Sequence, residues 1–173
     1  LLDVFTGEPV STAEEDEFLM TFIFTFCPTE CIWLVSSLTH AEARVLERGA
    51  EEPRVLAATF DPARDTPERM NDYAERMGID SDNWSLLRPE DEEAAEEVIT
   101  GEFGVRFQKA QRTEGHGHDG HEGYDFIHTT LILLVNENGY VERSYMNQDP
   151  SPDLIADDWL ALVKAQESTT NAG

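Results

Sequence analysis

Lysine is nearly missing from this 173-residue chain: Lys109 and Lys164 are the only two, and Lys and Arg together number 12 against 36 Asp and Glu, a formal net charge of -24. A surface so poor in positive charge repels nucleic acid and anionic lipid and argues against both as partners. Long hydrophobic runs are lacking as well. No stretch approaches the roughly 20 apolar residues that cross a bilayer, and no basic segment leads into an apolar one as in a secretory leader. Cysteine is scarce: Cys27 and Cys31 are the whole supply, so any disulfide within the chain joins that pair. Neither a disulfide nor a metal is required for folding, because a chain of this length buries a complete core without them.

The acidity is distributed, in "STAEEDE", "RPEDEEAAEE" and "IADDW", and does not form one tail. Such a pattern reads as adaptation of the whole surface to a salty medium, where a Debye length of roughly 3 Å at molar salt screens the self-repulsion.

"FLMTFIFTF", Phe18 to Phe26, is short, continuously apolar and rich in β-branched and aromatic residues, which predicts a central strand buried on both faces. Pro28 breaks it. From Thr29, Trp33, Leu34, Leu38, Ala41 and Val45 fall at helical spacing and the run stops at Gly49. "RVLAATF", residues 54–60, predicts a second buried strand, followed by a helix capped by Asp65 or Thr66, opened by Pro67 and ended by Gly78. "WSLLR" is a short strand candidate, and "PEDEEAAEEVITGEFG" an acidic helix ending at Gly101 or Gly104. "TEGHGHDGHEG" is aperiodic and glycine-rich, a loop over about 113–123. "HTTLILLV", the turn "NENG" and "YVERSYM" predict a β-hairpin. An amphipathic helix closes the chain with Leu154, Ile155, Trp159, Leu162 and Val163 on its apolar side, and residues 167–173 read as a flexible tail. Strands alternating with helices, then a hairpin and a last helix, predict one α/β domain over 1–173, with a central mixed β-sheet flanked by helices in a thioredoxin-like order.

Cys27 and Cys31 are four residues apart where the first strand hands over to a helix, so both can converge at its first turn. Unpaired N–H groups and the helix dipole favour thiolate there. Two soft donors suit a soft ion, above all Cu(I), but the same pair can exchange disulfides or form a structural bridge. Spacing does not separate these readings. Of the five histidines, His128 stands out, because it directly precedes the apolar "TTLILLV". In a thioredoxin-like sheet the loop entering the hairpin approaches the start of the first helix, so His128 can complete a Cys, Cys, His set that holds both Cu(I) and Cu(II). His116, His118 and His121, with Asp119, form "HGHDGH", a tract suited to weak copper recruitment. His40 reads as a surface residue of the first helix.

Taken together, "FTFCPTEC", "TFDPARDTPERMNDYAERMG" and "YDFIHTTLILLVNENGYV", with "GEPVS" near the start, resemble in order the motifs of the Sco/SenC family of copper chaperones. Members of that family help to build the binuclear copper site of cytochrome c oxidase. The resemblance implies copper ligation by Cys27, Cys31 and His128, and places Asp61 and Asp65 in an acidic loop that shapes the site and caps the following helix. Arg64 is expected to steer an acidic partner surface. Ile32 stands where many members have Pro, and Ile127 where many have Asp. The implied function is a monomeric, extracytoplasmic metallochaperone, anchored to a membrane through a segment outside this chain, that passes copper (Cu(I)/Cu(II)) to cytochrome c oxidase subunit II or a similar acceptor by ligand exchange. The alternative is a thiol-disulfide reductase acting through Cys27 and Cys31, which has no need of His128. A Cys2His zinc site closed by His121 and a peroxidase both rank below these.

The surface charge makes one expectation testable at once. The melting temperature should rise between dilute buffer and multimolar KCl, and an unchanged value would mean that the acidity has nothing to do with salt.

Overall fold

The apolar run that opens at Phe18 becomes strand β2, Phe18–Ile23, and all of it is buried. The computed structural model describes residues 1–111, 124–146 and 150–170. Strand β1 is Leu2–Asp3, β3 is Val55–Thr59 and β4 is Trp84–Arg88. Strand β7 is Ile132–Val135 and β8 is Val141–Tyr145. These six form one sheet in the order β1-β4-β3-β2-β7-β8. The three inner strands β4, β3 and β2 are parallel, and β1, β7 and β8 join antiparallel, so the sheet is mixed as expected. Strands β2, β3 and β7 are buried on both faces, whereas β8, at the edge, exposes most of its side chains, Glu142 and Arg143 among them. Charge on an edge strand discourages further pairing.

Helices fill the connections. Helix α1, Glu30–Glu47, buries Cys31, Leu34, Val35, Leu38, Ala41 and Val45, a stripe at the three- and four-residue spacing that packs one face on a core. Trp33 lies off that stripe and is 46% exposed. Helix α2, Pro67–Met77, is capped by Thr66, whose hydroxyl accepts from the Arg69 N–H at 3.4 Å, and ends at Gly78 with φ +68°. Asp65 is not the cap. Helix α3 covers Glu92–Ala95 and widens into a π-helical stretch, Glu96–Glu102, that stops at Gly104, not Gly101. Helix α4, Pro152–Thr170, packs along α1, tied by Arg44 to Asp153 and Arg48 to Asp157. It carries on through residues assigned above to a tail. Ile155 and Trp159 are buried on it, but Leu154 is half exposed, because it falls a turn edge away from that face.

Two further differences matter for the site. The first strand stops at Ile23 and not at Phe26, because the Thr25 N–H leaves the ladder for the Asp65 carboxylate. The strand of the hairpin starts at Ile132, and His128 instead ends β6, Tyr124–His128, which pairs antiparallel with β5, Phe107–Gln111, in a separate two-stranded sheet. The turn "NENG" closes β7 on β8 as expected, with the Asn136 side chain accepting from Asn138 and Tyr140 N–H at 3.0 Å each.

One buried acid on α1 gives the fold a pH dependence. Glu42 accepts from Trp84 Nε1 and Asn83 Nδ2, each at 2.5 Å, and burial, outweighing those bonds, raises its pKa from 4.5 to about 7. The folded state therefore holds a proton that the unfolded chain has lost. Its contribution is full below about 4.5 and is lost as pH rises through about 7. In chemical denaturation at fixed salt, the stability difference between wild type and Glu42→Gln should move in favour of the variant across that window, by on the order of 3 kcal/mol. A difference independent of pH would show that Glu42 ionises normally.

Candidate metal centre

The site starts where β2 loses its ladder. Asp65, wholly buried, accepts from the Thr25 N–H, the Thr25 hydroxyl and the Thr59 hydroxyl, the last two at 2.5 Å. It thus fastens the exit of β2 to the exit of β3. The chain then turns, with the Cys27 N–H bonded to the Phe24 carbonyl at 3.1 Å, and Pro28 precedes the N-cap Thr29, whose side chain caps nothing. Cys27 supplies what is missing. Its Sγ accepts the Cys31 N–H at 3.3 Å, so a sulfur stands where a capping oxygen usually does.

His128 arrives from the β5–β6 ribbon. Along β6 the side chains alternate: Phe126 is buried, Ile127 is 69% exposed and His128 turns back in. Aromatic packing seats the ribbon, with Phe60 stacked on Phe107 at 5.2 Å and edge-on to Phe126 at 4.9 Å between ring centres. The imidazole itself lies 4.9 Å from Phe60 and 5.8 Å from Phe24. Its Nδ1 is 3.3 Å from the Thr129 carbonyl, and the ring also interacts with the Cys27 side chain. That carbonyl does the orienting work that the position of Ile127 could not.

One ligand atom from each of Cys27, Cys31 and His128 lies within 4.8 Å of the other two, the arrangement that the sequence led us to expect. The three differ electrically. The side-chain hydrogen bond with Cys31 is the main influence lowering the Cys27 pKa to about 5, against burial, with help from His128 and from the Cys31 and Thr29 backbone. Burial above all, then the neighbouring Cys27, pushes the Cys31 thiol up. Burial opposes a charge on His128, but Cys27 and the Thr129 carbonyl outweigh it and raise its pKa. Two sulfurs and one imidazole, with no carboxylate among them, suit a soft or borderline ion. An open hollow lined by Arg106, Phe107, Ile127 and His128 gives outside access to the imidazole.

The remaining residues singled out in the sequence have structural posts. Asp61 takes the Tyr124 hydroxyl at 2.8 Å and Arg64 Nε at 2.5 Å, which joins the loop after β3 to the ribbon. Arg64 is not a steering group at the surface: it is mostly buried, donates to the Tyr124 carbonyl and lies 3.8 Å over the Tyr124 ring. Arg88, which the sequence did not single out, braces the same loop through the Asp65 and Pro62 carbonyls. Glu30 was also overlooked. Its Oε2 accepts from Thr29 at 2.5 Å and stands 3.7 Å from Cys27 Sγ, and its place between the cysteines was the available clue. His40 is exposed on α1, as expected. His116, His118, His121 and Asp119 lie outside the described residues.

A family model described as SCO1/SenC matches residues 6–164. The chain belongs to the SCO1/SenC family. A SCO1 protein homolog of Bacillus subtilis is 26% identical over 141 residues, which cover 80% of this chain and 67% of that one. Among solved structures, Bradyrhizobium japonicum ScoI with copper bound is 24% identical, with a TM-score of 0.67 over 93% of this chain and 94% of that one. A SCO1/SenC family lipoprotein from Bacillus anthracis is 21% identical, with a TM-score of 0.74 over 94% and 90%. These two likenesses establish the shared thioredoxin-like fold of this SCO1/SenC protein.

The asymmetry of its cysteines can be measured without any metal. Iodoacetamide should label Cys27 at a rate that holds steady below neutral pH and falls only as pH drops through about 5, while Cys31 resists until the protein is denatured. An inflection in the ordinary thiol range would mean that the contacts of Cys27 do not stabilise its thiolate.

Proposed function

We propose that this SCO1/SenC protein binds copper through Cys27, Cys31 and His128 and delivers it to the binuclear copper site of cytochrome c oxidase during assembly. The observation that carries the reading is the donor set: two sulfurs and an imidazole within 4.8 Å of one another, one sulfur favoured as thiolate. Two thiolates hold Cu(I) well, and an added imidazole also accommodates Cu(II). The Sco family is one of cytochrome c oxidase assembly proteins, and a copper-bound structure within it supports the choice of metal. The acceptor in this reading is subunit II or a protein like it. Its thiolates replace those of Cys27 and Cys31 one at a time, entering by the accessible side of His128, and the chain works as a single monomeric domain.

No helix among the described residues is long and apolar enough to cross a membrane. An extracytoplasmic position with membrane anchoring is the setting we infer from the lipoprotein relative.

A second reading is favoured by the same asymmetry of the thiols. Cys27 is suited to attack a partner disulfide, and buried Cys31 to displace it from the mixed disulfide, which leaves a Cys27–Cys31 bridge and a reduced partner.

Anaerobic copper titration of the reduced protein in high salt separates the two, followed by sulfur-to-Cu(II) charge-transfer absorption. One equivalent should bind, Cys27→Ser or Cys31→Ser should abolish tight binding, and His128→Ala should weaken Cu(II) binding while leaving dithiol exchange largely intact. Weak binding indifferent to both cysteines would remove copper from the proposal and leave the reductase.

A further inference from the structure

Glu30 opens α1, a place where an acid is ordinarily explained by the unpaired N–H groups of a helix start. Its side chain reaches elsewhere. Oε2 turns back toward the residues before the helix and stands 3.7 Å from Cys27 Sγ. Thr29 holds it there: its hydroxyl makes no cap bond and donates to the same oxygen at 2.5 Å. Capping is left to the sulfur, which accepts the Cys31 N–H at 3.3 Å. Cys27, Thr29 and Glu30 thus form one small unit in which a carboxylate is fixed against a sulfur. Among the described residues, no other carboxylate is within hydrogen-bond reach of either cysteine sulfur. Glu68 is the contrast, an acid in the first turn of α2, where Thr66 caps in the usual way.

The Glu30 carboxylate is not one of the converging donors. Those are the two sulfurs and the imidazole, within 4.8 Å of one another. Glu30 therefore adds charge beside them without adding a bond. An ion held by cysteine meets thiolates, so two negative charges come from Cys27 and Cys31 and a third lies alongside. Against these three, Cu(II) leaves one excess negative charge and Cu(I) leaves two. The carboxylate thus favours the divalent ion over the monovalent one. The many surface acids of this chain add little to that preference in strong salt, because a Debye length of roughly 3 Å screens exposed charges further away.

We propose that Glu30 is a specificity-determining residue of the metal centre: its carboxylate, aimed by Thr29 at the Cys27 sulfur, sets the preference of the site for Cu(II) over Cu(I). The inference rests on ligation by Cys27, Cys31 and His128. It concerns which ion that set prefers, and it extends to other divalent ions against other monovalent ones.

Glu30→Gln keeps the shape and removes the charge. Cu(I) and Cu(II) affinities are measured separately by competition with chelators, in high salt, and metal-free melting temperatures are read alongside. The ratio of Cu(II) to Cu(I) affinity should fall roughly tenfold, the scale of one charge beside a partly solvated ion, with most of the fall in the Cu(II) value. Zn(II) and Ag(I), which are redox-inert here, should separate in the same direction. Glu30→Asp keeps the charge and should restore most of the ratio, and Thr29→Val, which frees the carboxylate, should lower it part of the way. Glu68→Gln should leave it unchanged. Equal weakening of Cu(I) and Cu(II) together with a lower melting temperature would make Glu30 a helix-start charge only and overturn the proposal. An unchanged ratio in Glu30→Gln, or the same fall in Glu68→Gln, would also overturn it. If Cys27→Ser and Cys31→Ser bind copper as wild type does, the ligation reading itself fails and the proposal with it. Binding that needs both cysteines but has a ratio indifferent to Glu30 defeats the proposal alone.

Discussion

The Asp65 carboxylate is the constraint on which the rest of the site depends. It is sealed from water and receives three donors, two from Thr25 and one from Thr59, so the ends of two adjacent parallel strands are tied at one point. Everything functional is measured from that tie. Two residues beyond Thr25 the chain reaches Cys27, and three further on it starts α1; one residue beyond Asp65 it reaches the cap of α2. Burial raises the pKa of Asp65 and its donors pull it back, the balance expected for a carboxylate kept for its acceptor capacity. Nearby Asp61 extends the same logic outward, since Tyr124 and Arg64 converge on it and bring the ribbon into register with the strand ends.

Within that frame the three converging side chains have unequal freedom. Cys31 is locked in the first turn of a helix whose buried stripe continues for four turns, so it moves only if the core moves. Cys27 is held by the backbone it caps, and the N–H it accepts also favours its charge. His128 depends on ring packing against Phe24 and Phe60 and on one carbonyl. The sulfurs thus belong to the core and the imidazole to an attachment on it.

Much of this was legible in the residues. Continuous apolar runs named β2 and β3, Pro67 and Gly78 bracketed α2, and the cysteine spacing with a histidine just before an apolar run picked out three side chains that the fold brings together. What escaped notice has a common cause. The end of β2 is decided by a carboxylate 40 residues away, which no local pattern contains. The ribbon was invisible because "FQKAQ" is polar, and "YDFIH" runs almost directly into the apolar hairpin strand and was absorbed by it. Arg64 looked like a surface charge for the same reason: beyond Asp61, it meets the ring and carbonyl of Tyr124 and the ring of Phe26, all far along the chain. Trp33 and Leu154 were grouped by helical spacing with the apolar sides of their helices, although a helix of this length has more apolar residues than its buried stripe can hold.

The separation of donors along the chain has a mechanical meaning. Two come from a single turn near the start, and the third from a ribbon about a hundred residues later, joined to them by packed rings and no covalent bond. An ion shared by all three is therefore a cross-link that closes most of the chain into a loop. Without the ion, the ribbon is held to the strand ends by its packed rings and by the contacts of Tyr124 with Asp61 and Arg64. A partner that removes the cargo would at the same time untie the part of the surface it had been touching.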